Sequence, residues 1–103
     1  MIEGEQDRIA ANVAVVQEYL HHEFPRARIE LVLAPEPKRQ ADRVFRIHDT
    51  AAFYALNVPC EFLEDTDAAI AAYLDQWQVA ALLREAGPQQ VTVLKGEPPI
   101  RGD

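Results

Sequence analysis

The sequence predicts an α+β fold, a two-layer α/β sandwich in the order α-β-β-β-α-β, with a mostly antiparallel sheet and both helices on one face. Three observations carry that expectation. Two segments space their apolar residues with a helical period. Several short segments alternate apolar and polar residues, the mark of strands buried on one side only. The chain has 103 residues, 49% of them hydrophobic, enough for one core without metal or disulfide staples. One-sided strands and amphipathic helices satisfy each other when the helices share one face of the sheet.

The first helix is expected from about Gln6 to His22. Ile9, Val13, Val16 and Leu20 recur on one side, and Ala10 and Ala14 widen the stripe. The acids up to Asp7 suit the positive end of the helix dipole. Phe24-Pro25 ends the helix, because the residue before proline is pushed out of the α region. Arg28–Leu33 then reads as a strand with Ile29, Leu31 and Leu33 inward and Arg28 and Glu30 outward. Pro35 and Pro37 stop it. After a polar connection, Arg43–Ile47 resumes the alternation with Phe45 and Ile47 inward, which predicts an antiparallel hairpin.

Between Asp49 and Phe62 two readings compete. A strand over at least Phe53 to Val58 follows from the alternation of Tyr54, Leu56, Val58, Cys60 and Phe62, and a short helix from Thr50 to Leu56, capped by Asp49 and ended by Asn57, is the alternative. The strand is preferred, with Pro59 implying an edge position or a bulge at its end. Thr66 and the acids around it mark a helix start. Ile70, Leu74, Trp77 and Ala81 give its stripe, and Gly87-Pro88 its stop. Val91–Leu94 is the last predicted strand. Residues 1–95 are read as a single domain and 96–103 as a flexible C-terminal tail rich in proline and glycine.

Charge narrows the function classes. The net charge of −7 disfavours a dedicated nucleic-acid binder, for which phosphate neutralisation supplies most of the affinity. No apolar run approaches a membrane span, the N-terminal residues are acidic where a secretory signal would be basic, and one cysteine forbids an internal disulfide. A cytoplasmic location is the expectation. The charge is unevenly spread, however. Residues 24–50 hold six basic residues (Arg26, Arg28, Lys38, Arg39, Arg43 and Arg46) against four acidic ones, while both flanking segments are strongly acidic.

The remaining motifs give little chemistry. His21 and His22 are adjacent on a helix and point about 100° apart, so they do not share an ion, and no HxxxH or CxxC spacing occurs. Cys60 lacks an activating environment in the sequence, since Glu61 opposes a thiolate. His48-Asp49 has no serine to complete a triad, and Asp49 reads as a turn residue. The four glycines are isolated, which excludes GxGxxG and Walker loops. The acidic run Glu61, Glu64, Asp65 and Asp67 lacks the calcium-loop pattern. Arg101-Gly102-Asp103 matches an adhesion tripeptide that an intracellular chain would not use. Double-stranded-RNA-binding domains share the α-β-β-β-α order, but they carry lysines where this chain starts its second helix with Glu64, Asp65, Thr66 and Asp67, which repel phosphate.

The expectation is therefore a non-enzymatic binding or accessory module, without cofactor or metal. It would engage a protein partner, including a second copy of itself, through the open sheet face or an edge strand. The candidate surface is Arg28, Glu30, Lys38, Arg39, Arg43, Arg46 and His48, with Glu30–Arg46 pairing across the strands as the purely structural explanation. The alternative is a ligand or enzyme domain with a pocket between the sheet and the second helix, where Ala68, Ala69, Ala71, Ala72, Ala80 and Ala81 could leave space. Nucleic-acid binding by the basic hairpin ranks third.

Overall fold

The computed structural model describes residues 2–33, 43–50 and 52–102. Helix α1 (Ile2–Glu23) is followed by strands β1 (Arg28–Leu33), β2 (Arg43–His48) and β3 (Phe53–Val58). Helices α2 (Cys60–Leu63), α3 (Asp67–Gln76) and α4 (Val79–Ala86) come next, and strands β4 (Gln90–Leu94) and β5 (Glu97–Arg101) complete the chain. The five strands lie side by side in chain order. All pairs are antiparallel except β3–β4, which is parallel. A parallel pair needs a long crossover, and α2–α4 supply it.

The predicted sandwich is the observed one. Phe45 and Ile47 of β2, Leu56 and Val58 of β3, and Val91 and Val93 of β4 are fully buried. They pack with Ile9, Val16 and Leu20 of α1, Ile70 and Leu74 of α3, and Val79 and Leu83 of α4 in one core. Ile29 is partly buried against this cluster, while Leu31 on the outer strand stays 38% exposed. The side chain of Leu33 and the predicted loop with Lys38 and Arg39 lie outside the described residues. Residues of the other parity carry the opposite, uncovered face.

Polar anchors tie the helices to one another. Asn12, 1% exposed, donates from Nδ2 to the carbonyls of Leu63 (2.7 Å) and Asp65 (2.6 Å). Arg84 donates to the Glu23 carbonyl at 2.8 Å and stands 4.6 Å over the Phe24 ring, so one guanidinium satisfies the end of α1 and covers an aromatic face. Thr66 caps α3 as its position predicts, its hydroxyl accepting from the Ala69 N–H at 3.1 Å. Gly87 ends α4 at φ 63°, a left-handed value that glycine adopts without steric cost.

Four features depart from the expectations. First, the second helix is broken at Trp77–Gln78, where Gln78 takes φ 47°. The Gln78 N–H bonds to the Asp75 carbonyl at 3.2 Å, and the new helix start gains a partner when the Tyr19 hydroxyl accepts from the Ala80 N–H at 3.0 Å. The break re-aims α4 so that Val79, Ala80, Leu83 and Ala86 are buried, and it leaves Trp77 37% exposed instead of in the core. Secondly, a short helix, α2, precedes it and buries Phe62 and Leu63.

Thirdly, β3 is the central strand. Pro59 does not mark an edge; it stands beyond the last strand residue at φ −63° and opens α2, where its missing N–H breaks no ladder bond. Fourthly, residues Glu97–Arg101, expected in a loose tail, form strand β5. Gly96 turns the chain at φ 74°. The Tyr73 hydroxyl then clasps the hairpin, accepting from the Leu94 N–H (3.0 Å) and donating to the Glu97 carbonyl (2.6 Å). Pro98 and Pro99 are tolerated because β5 is an edge strand.

Candidate functional site

The uncovered sheet face follows from strand register. Three rows run across it. Arg28, His48 and Phe53 are opposite one another; Glu30, Arg46, Ala55 and Gln90 form the next row; Val32, Val44, Asn57, Thr92 and Ile100 form the third. Phe53 is 39% and Ile100 58% exposed, the latter the most exposed large apolar side chain among the described residues. Ala55, at the centre, keeps the middle of the face low.

Of the predicted surface residues, the structure brings Arg28, Glu30, Arg46 and His48 together here. Glu30 does not pair with Arg46 directly opposite it. Its Oε1 lies 3.3 Å from Nε2 of His48, the diagonal neighbour on β2, in a half-exposed contact. Such a contact contributes at most about 1 kcal/mol in water. Among the described residues neither Arg28 nor Arg46 has an ion-pair partner within 4.0 Å. The His48 ring packs on Phe53 with centroids 5.1 Å apart, setting an aromatic plate beside the cations.

Arg43 does not belong to this face. It shares the parity of Phe45 and Ile47, opposite Val58, and is half-buried at the margin of the helix-covered side. Lys38 and Arg39 fall outside the described residues. Asp49 behaves as the turn residue its position suggests, its Oδ1 accepting from the Thr50 N–H at 2.8 Å.

Of the alanines named for the alternative pocket, Ala68, Ala71, Ala72 and Ala81 are exposed and Ala69 is partly buried, and His48 lies on the sheet face away from the helices. Ala80 is packed into the core. Among the described residues no three His, Cys, Asp or Glu side chains converge as metal ligands, and no helix is long and apolar enough to cross a membrane. The phenols that do have shifted acidity, Tyr19 and Tyr73, are structural. Burial raises both above the usual value of 10.0, and the N–H donors of Ala80 and Leu94 oppose that shift without reversing it.

Sequence reasoning missed Phe53 and Ile100 as parts of the face. The parity of Phe53, opposite to Tyr54, Leu56 and Val58, was available as a signal. Ile100 had none, because Pro98-Pro99 hid the strand that carries it. No family model, curated protein or solved structure matches this chain.

Proposed function

We propose that this chain is a binding module without catalysis of its own, which engages an acidic patch on a partner protein through the open sheet face. One observation supports this most. On a chain of net charge −7, the open face exposes Arg28 and Arg46 beside Phe53, with Glu30 engaged by His48. Cations next to an exposed aromatic ring suit a partner that offers carboxylates around an apolar anchor. The helices behind the sheet hold these side chains on regular strands, so binding requires little ordering.

Size sets the strength. Strands of five or six residues, five abreast, give a face of roughly 20 by 20 Å, or about 400 Å². A standard interface takes about 800 Å² from each partner, so this face suits transient, salt-sensitive binding.

The test is to titrate the isotopically labelled chain with a Glu- and Leu-containing peptide, following amide shifts by NMR. Shifts should concentrate on residues 44–48 and 53–57 and vanish in Arg28→Glu/Arg46→Glu. Shifts confined to the helices, or unchanged binding by the double variant, would refute the proposal. A labelled oligonucleotide bound at low salt through the same arginines would favour nucleic acid instead.

A further inference from the structure

We infer that two copies of this chain pair through the outer edge of β1, in antiparallel fashion about a two-fold axis at Leu31, to give a continuous ten-stranded sheet. The inference concerns the edge of the sheet and is independent of the open-face reading above.

The two edges of the sheet differ. β5 carries Pro98 and Pro99, and proline on an edge strand blunts it against a further strand because it has no N–H to donate. β1, Arg-Ile-Glu-Leu-Val-Leu, holds no proline, and no described residue pairs with its outer side. A row of unpaired N–H and C=O groups specifies its occupant chemically as another extended strand. On the helix-covered side this edge also leaves Leu31 38% exposed.

Register selects a second copy. A two-fold axis perpendicular to the sheet keeps each face aligned with the same face of the partner. Centred on Glu30, it would set two like charges directly opposite, which is destabilising. Centred on Ile29, it would pair only residues 28–30 before meeting the turn at Pro25–Ala27. Centred on Leu31, it pairs residues 29–33, places Leu31 against its copy, and puts Glu30 opposite Val32.

The helix layer permits this approach. Arg8, Asn12 and Tyr19 turn one side of α1 toward the α2–α4 segment. The opposite side, on the β1 side of α1, carries Ala10, Ala14, Gln17 and His21, and the two alanines let two α1 helices approach side by side.

The patch is about 20 Å long and one strand-plus-helix layer deep, on the order of 300–400 Å² per copy. That is below the stable-dimer class, so the dimer should form in the range of about 10 to 100 μM. Sedimentation equilibrium from 1 μM to 1 mM tests it. The mass should rise from 11.6 kDa toward twice that value. Leu31→Lys, at an already exposed site, should raise the dissociation constant at least tenfold, while Ile100→Lys at the other edge should leave it unchanged.

Register is read by Leu31→Cys in a Cys60→Ala background. Directly opposed residues in antiparallel strands lie about 4.5–5.5 Å apart at Cα, within disulfide reach. Leu31→Cys should therefore cross-link on oxidation, and Ile29→Cys, about four residue positions from its copy, should not. A monomer at 1 mM overturns the inference. So does a dimer that survives Leu31→Lys but dissociates with Arg46→Glu, which would move self-association to the open face.

Discussion

Asn12 is the buried polar residue on which the helix layer depends most, and its replacement gives a quantitative test. Both hydrogens of its amide are used, at 2.7 Å to the Leu63 carbonyl and 2.6 Å to the Asp65 carbonyl. These acceptors belong to the end of α2 and the turn after it, where helical partners run out. Asn12→Ala strands both. The Asp65 carbonyl is nearer solvent and is easily rehydrated, so its loss costs about 0.5–1.5 kcal/mol, whereas the buried Leu63 carbonyl costs about 1–3 kcal/mol. The sum, about 1.5–4.5 kcal/mol, is a large part of the roughly 5–15 kcal/mol that holds a domain folded. Urea unfolding should show the midpoint falling without a change in slope, and Tm should drop by about 10–25 °C.

Asn12→Asp separates hydrogen bonding from packing. It has nearly the same shape, but an ionised carboxylate has no hydrogen to give and faces two carbonyl oxygens. At pH 7 it should be less stable than Asn12→Ala. Burial and those acceptors raise the folded pKa of the new carboxyl above its unfolded value of about 3.9. The penalty is therefore absent below the unfolded pKa, grows as pH rises through it, and is complete above the folded pKa. The Asp variant should recover toward the Ala variant near pH 3–4. A cost for Asn12→Ala below about 1 kcal/mol, or an Asp variant whose deficit ignores pH, would refute the assigned role.

Two further predictions concern the tyrosines. Tyr73→Phe keeps the ring against Phe62 (4.9 Å) and removes the clasp on the β4–β5 hairpin, so it should cost about 1–2 kcal/mol. Hydrogen exchange should show protection lost first in residues 97–101 and retained in β1–β3; uniform loss would mean that the clasp does not hold β5 in particular. Tyr19 has a folded pKa raised above 10.0, so its contribution is constant below pH 10 and declines as pH rises past that value, when the unfolded chain releases the proton first. Thermal melts of Tyr19→Phe should fall less steeply from pH 10 upward than those of the parent, and identical slopes would contradict the assignment.

Local periodicity determined much of this molecule. The alternation in Arg28–Leu33 and Arg43–His48 decided which side chains face the helices, because a strand sends successive residues to opposite faces. It thereby placed Arg28, Glu30, Arg46 and His48 on one surface. The same rule, applied to Arg43, would have removed that residue from the candidate site. Capping chemistry fixed the start of α3 at Thr66, and Gly87 fixed the end of α4, since each satisfies helix-terminal groups by itself.

What tertiary structure decided depends on partners distant in the chain. No residue between Ile70 and Ala86 signals a helix break, yet the Tyr19 hydroxyl, 61 positions from Ala80, supplies the bond that starts α4. Pro98-Pro99 reads as a tail until Tyr73 and β4 provide an edge on which prolines are harmless. Asn12 looks like an interruption of an apolar stripe until two carbonyls from α2 and its turn meet it. The open face shows both origins. Its charges were written in the strand pattern, whereas its outer apolar margin at Ile100 exists only because β5 docks.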